Sequence, residues 1–167
     1  MDAPLIEAFR YSKWANLHLL DVSANLTEEQ LQLTAPGTYG TIVATLLHLI
    51  SAEQRYLRRL EGSKPDINEN GPALSIASLR EHAVRSGDRL IEAAGRIKPN
   101  DAIEEERDGR LMSLKLGVVL VQAIHHGNDH RTHICTILGA HDIPYGDMDV
   151  WAYGQAIGGI VLVETKT

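Results

Sequence analysis

Four long stretches in which apolar residues recur three and four positions apart, each closed by a helix breaker, limit this chain to a few folds. The first should start with Asp2 as its N-cap, accommodate Pro4 in the opening turn, and run to about Asn25. Thr27-Glu-Glu-Gln30 is a capping-box pattern that opens a short second segment, broken by Pro36-Gly37. The next long helix is predicted from about Gly40 to Glu61, with Gly62 in the C′ role and Pro65 shortly beyond. Lys64 to Pro72, rich in Pro, Asn and Gly, reads as a loop. Ser75 caps a third long helix reaching about Ile97, and Lys98-Pro99-Asn100 ends it.

Residues 103 to 113 change character. Asp108-Gly109 lies between Ile103-Glu-Glu-Glu-Arg107 and Arg110-Leu-Met-Ser-Leu114, which suggests a small β-hairpin with a type I′ turn, or an irregular insertion, before the last long helix. That helix should span about Ser113 to Leu138, with Gly139 at its end. A loop through Pro144 and Gly146 leads to a short helix near Asp149–Tyr153, and Ile160-Val-Leu-Val163 suits either a strand or a docking segment. Four long helices joined by modest loops point to an all-α fold, an antiparallel four-helix bundle occupying residues 1–167 as a single domain.

With 16 basic and 22 acidic residues the chain carries a formal charge of −6, which argues against a nucleic-acid partner. Glu104-Glu105-Glu106 is read as solvated surface. Cys135 is the only cysteine, so an intramolecular disulfide is excluded and a reducing compartment is indicated. It follows His130 by five positions, about 140° round the helix, and is read as a small buried thiol rather than a ligand. The N-terminus lacks a basic region followed by an apolar core, and no apolar run approaches the roughly 18 residues that span a bilayer. These features lead to the expectation of a soluble cytoplasmic protein with no membrane partner.

The last long helix carries the chemistry. Its inward stripe is predicted to run Val119, Ala123, His126, His130, Ile134, Ile137, with two imidazoles where hydrophobes belong. A spacing of four leaves His126 and His130 about 40° apart, so both can face one object. Burying two polar rings costs free energy unless they find partners, and a divalent metal is a strong one. Two ligands rarely suffice, and the best third is His48, on a stripe of small or hydroxylic residues: Thr41, Ala44, Thr45, Ser51, Ala52 and Tyr56. The plain alternative is a bundle whose buried histidines hold no metal. His125 and Asp129 each lie about 100° off a ligand direction, and His133 lies two turns from His126 on nearly the same side. His18, His82 and His141 have no partner at useful spacing. No Glu follows His126, so the zinc-protease arrangement His-Glu-x-x-His is absent, as are the Glu-x-x-His pairs of di-iron bundles.

At these residues the chain resembles the DinB-like (DinB/YfiT) superfamily. The matching positions are His48, then His126-Gly-Asn-Asp-His130-Arg131, with Trp14-Ala15-Asn16 and Asp149-Val-Trp-Ala-Tyr153 in support. The resemblance implies an up-down-down-up four-helix bundle, commonly a homodimer, holding a divalent metal on three histidines. Relatives of known chemistry are mostly transferases or isomerases that use low-molecular-weight thiols. The chain departs from the usual pattern at Thr132-His133, where Gly-Gln is common, which touches substrate contacts and not the ligands. Three imidazoles would leave open positions on zinc, nickel or iron, where water or a thiol becomes acidic. The first functional reading is therefore a metal-dependent enzyme, a thiol-dependent transferase or hydrolase-like protein acting on a small molecule. Tyr56, Asp129 and His133 are the candidates for contacting substrate or supporting the metal. The alternative is a non-catalytic, stress- or damage-associated bundle whose metal is structural or vestigial.

Overall fold

Side-chain caps set four of the helix starts in the computed structural model, which describes residues 4–161. Helix α1 spans Pro4–Ser23, so the expected cap Asp2 lies outside the described residues. The capping box closes on both sides around α2, Glu28–Leu31: the Gln30 N–H donates to Thr27 Oγ1, and Gln30 Oε1 accepts the Thr27 N–H. Helix α3 spans Ile42–Glu61 and starts two residues later than predicted, because Thr41 accepts the Ala44 N–H and becomes the cap. Gly62 ends it at φ +74°, a left-handed conformation that a side chain would strain. Ser75 caps α4, Ile76–Arg96, as expected.

The hairpin forms from β1, Ala102–Arg107, and β2, Arg110–Lys115. Asp108 at φ 52° and Gly109 at φ 72° give the type I′ turn its two left-handed residues. Helix α5 spans Leu116–Ala140. The prediction that it begins at Ser113 fails because Ser113, Leu114 and Lys115 pair with Glu104, Ile103 and Ala102. Ladder hydrogen bonds hold those residues extended, and the Leu116 N–H then donates to Asp101 O at 2.9 Å. The helix also passes Gly139, ending where the Ile143 N–H returns to Leu138 O at 2.9 Å. Helix α6, Val150–Ala156, has Asp149 as its cap. Ile160 forms no strand: its N–H donates to Gly154 O, and it packs back over that glycine. Leu162 and Val163 lie outside the described residues.

Side-chain pairs fix the helix directions. Arg80 meets Asp21 at 2.6 Å and Lys13 meets Asp88 at 2.5 Å, so α4 runs antiparallel to α1. Gln54 meets His82 at 3.1 Å while Arg89 and Arg96 reach Glu61 further along, so α3 and α4 are parallel. Leu46 and Leu49 share a cluster with Ile134 and Ile137, while Leu57 and Leu60 join Leu116 and Leu120. Helices α3 and α5 are therefore antiparallel, and the bundle is up-down-down-up. Each of α1 and α3 packs against both α4 and α5. Helix α6 rests on α1, where Tyr153 donates to Glu7 at 2.5 Å and its ring sits 5.6 Å from that of Trp14. No helix among the described residues is long and apolar enough to cross a membrane.

The core is divided. One apolar cluster centres on Leu19, Leu46, Leu79 and Ile134, and the other on Phe9, Leu57, Leu90 and Leu120. Each such side chain, fully buried, contributes about 1.5–3 kcal/mol. Between the clusters lies a belt of buried polar residues: Ser12, Asn16, Glu53, Ser86 and Arg131. Mid-bundle is also where the histidines sit.

Candidate metal centre

Helix α5 is buried on two sides, and the belt and the histidines occupy different ones. Towards α1, the Arg131 guanidinium donates to Asn16 Oδ1 at 2.7 Å and Ser12 Oγ at 3.1 Å, and to Asn128 Oδ1 on its own helix at 2.5 Å. Asn16 passes the connection on, donating to Glu53 Oε1 at 2.8 Å, and Ser86 donates to the other oxygen of Glu53. Burial pushes the Glu53 carboxyl up to about 7, against the lowering pull of Ser86, Arg131 and Asn16. Gly127 provides room for this fork, since a Cβ there would stand 3.0 Å from Arg131 Nη1.

Towards α3, His126 and His130 meet His48. One ring nitrogen from each lies within 4.8 Å of the others, and His48 Nε2 is 3.1 Å from His126 Nε2. Two unprotonated nitrogens at that separation repel unless a proton or cation lies between them. Ligands about 2.0–2.1 Å from a tetrahedral zinc stand roughly 3.3 Å apart, so the spacing suits neighbouring positions on one ion. Burial, then the neighbouring histidines, holds His126 and His130 down at about 4, so both rings are neutral at physiological pH, as ligands must be. His130 Nδ1 is buried with no hydrogen-bond partner. The donor set therefore fits a divalent metal.

Aromatic rings wall the cluster. Tyr39 stacks on His48 with ring centroids 4.3 Å apart, meets His130 edge-on at 4.9 Å, and places its hydroxyl 3.0 Å from His48 Nδ1. Tyr56 meets His126 edge-on at 5.7 Å. From there a groove of about 650 Å³ runs along α3 to the hairpin, lined by Tyr56, Arg59, Met112, Leu114, Val118 and Gln122 among others. His133 sits 5.4 Å from His130, ring to ring, with its Nδ1 buried and unpartnered.

The other sequence candidates separate from the centre. Asp129 points outward to His125 at 3.2 Å, and both are exposed. Burial pushes the Cys135 thiol up to about 11, leaving it inert. His18 and His141 tie down loops through Tyr145 O and Thr34 O, and His82 joins Gln54 and Asp66. Sequence reasoning missed Tyr39 and Glu69. Glu69 lies 3.2 Å from His48 Nδ1, and its other oxygen accepts from Ser51 and Arg55. Burial opposes its charge, yet those hydrogen bonds, with His48, hold it down at about 2. Both residues lie in connecting segments, where no periodicity betrays direction. The only cue was Ser51 and Arg55, which continue the His48 face at three- and four-residue steps.

A sequence model of the DinB family matches residues 1–141. The chain belongs to the DinB family. Among solved structures, the crystal structure of a DinB-like protein from Bacillus cereus is similar over 86% of this chain and 94% of that one. The TM-score is 0.65 at 17% identity, so the likeness concerns the DinB fold alone. No curated protein matches the sequence. Within this DinB-family chain, Asn16 of the Trp14-Ala15-Asn16 motif bonds Arg131 of the histidine motif, joining α1 to α5 at the belt alongside Ser12.

Proposed function

We propose that this DinB-family protein is a metal-dependent enzyme that activates a thiol or water for attack on a small electrophile, with His48, His126 and His130 as the ligands. The observation that carries the reading is a cluster of three imidazoles that no fourth Cys, Asp, Glu or His among the described residues completes. Structural zinc sites close with four protein ligands, whereas catalytic sites keep three and leave room for a reactant. A bound zinc, nickel or iron ion supplies Lewis acidity, drawing the pKa of a coordinated water or thiol towards neutrality.

The residues around the cluster divide the remaining work. Tyr56 connects the His126 ring to the groove, whose Met112, Leu114 and Val118 suit the apolar part of a substrate. Tyr39 covers His48 and His130 from the other side and is 51% exposed, so it can shift without disturbing the core. His133 stands beside the cluster, its ring 5.4 Å from that of His130, where it can contact a bound substrate. A low-molecular-weight thiol, the cosubstrate class that the family resemblance implies, would take the open position on the metal.

Elemental analysis of purified protein before and after chelation tests the ligand set. We expect about one divalent metal per chain, lost from His48→Ala and from His126→Ala. Full retention in both variants would overturn the assignment. With protein loaded separately with zinc, nickel and iron, conjugation of small thiols to electrophiles tests the activity. Silence with every metal would favour a structural metal in a non-catalytic bundle.

A further inference from the structure

We propose that Glu69 is a positioning residue that makes His48 a metal ligand by fixing which of its nitrogens carries the proton; this rests on the metal reading above. The two oxygens of Glu69 have separate tasks. Oε2 faces His48 Nδ1 at 3.2 Å, and Oε1 is anchored by Ser51 and Arg55. His48, Ser51 and Arg55 follow one another on one face of α3, so the carboxylate lies along that face as a clamp.

A carboxylate only accepts hydrogen bonds, so a neutral imidazole facing it places its proton on Nδ1. The lone pair is then on Nε2, the atom 3.1 Å from His126 Nε2. The Tyr39 hydroxyl, also near Nδ1, can donate or accept and so does not decide the tautomer. Metal-bound histidines commonly pass their second N–H to a carboxylate, which orients the ring and raises its basicity. Among the hydrogen bonds and ion pairs of the described residues, His48 is the one ligand of the three with such a partner.

The loop that delivers Glu69 is built for the purpose. Gln54 Oε1 accepts the N–H groups of Asp66 and Ile67 at 2.9 and 3.0 Å, and Asp66 pairs with His82 at 3.3 Å. Further on, Asn68 Oδ1 accepts the Asn70 N–H at 3.0 Å, and its carbonyl accepts the Gly71 N–H at 2.9 Å. Glu69 stands inside that tight turn.

The test is zinc affinity, measured by competition with a chromophoric chelator, alongside ¹⁵N NMR of the His48 ring in metal-free protein. We expect Glu69→Ala to lose about 10- to 100-fold in zinc affinity. Glu69→Gln keeps the shape, but Ser51 and Arg55 hold its amide oxygen, so its NH2 faces His48 Nδ1 and the ring should shift towards the Nε2–H tautomer where the native protein reports Nδ1–H alone. This spectroscopic arm holds even if Glu69→Ala fails to fold, and a purely loop-tying role would leave it unmoved. Zinc binding by Glu69→Ala within twofold of the native protein, or an unchanged tautomer in Glu69→Gln, would overturn the proposal while leaving the three-histidine site intact. Absence of zinc binding by the native protein would overturn both.

Discussion

Two polar clusters are buried at the same height of this bundle, on two sides of one helix, and they are finished differently. In the belt towards α1 the groups answer one another: Arg131 donates to Ser12, Asn16 and Asn128, and Glu53 accepts from Asn16 and Ser86. In the cluster towards α3, ring nitrogens confront ring nitrogens, and His130 Nδ1 and His133 Nδ1 have no partner. A buried polar group without a partner costs about 1–3 kcal/mol, so a fold keeps one where something else compensates. The belt is complete as protein alone, whereas the histidine cluster keeps unpartnered ring nitrogens that could take a cation. One region holds the helices in register; the other uses that register.

Breaking the belt should give the largest effect. Arg131→Met leaves Asn16 and Glu53 buried without their cation, and we expect a loss of about 3–5 kcal/mol in urea unfolding. Adding Glu53→Gln should return part of that loss, because the remaining group is neutral. A loss below about 1 kcal/mol for Arg131→Met would mean the belt is not the network described here.

The two clusters should also respond to pH with opposite signs in metal-free protein. Glu53 has a folded pKa of about 7, above its ordinary 4.5, so its contribution to stability is present at acid pH and is lost as pH rises through 7. His126 and His130 have folded values of about 4, below the ordinary 6.5, so theirs is present above pH 6.5 and is lost as pH falls towards 4. The stability difference between the native protein and Glu53→Gln should therefore fall between pH 5 and pH 8, by on the order of 2 kcal/mol. A rise over that interval would sink the assignment. The smallest effect is expected at Gly127, where Gly127→Ala crowds the Arg131 fork. Unfolding should show a loss of about 1 kcal/mol, with metal stoichiometry unchanged.

Much of this was legible in the chain itself. Capping residues and breakers marked the helices, and Asp108-Gly109 marked the hairpin, because those signals act over a few residues. The start of α5 was misjudged because Ser113 to Lys115 take their structure from a partner strand rather than from their own periodicity. The meeting of His48 with His126 and His130 followed from helical spacing and the family pattern. Tyr39 and Glu69 could not be read that way: their positions depend on the path of connecting segments, which carries no repeat. The motif marked Asn16 without naming its partner, and Glu53 showed no sequence cue, since a single polar residue on an apolar face names no partner.

The parallel course of α3 and α4 has a further result. After Glu61 the backbone must travel back the height of a twenty-residue rod, about 30 Å, before α4 can begin. A bundle with only hairpin-like reversals would have no such return strap, and nothing to hang an acid above the rings. The strap lies outside both apolar clusters for most of its length, so its composition can drift while the rods stay fixed. Substitutions along it could alter the surroundings of the rings without repacking the rods.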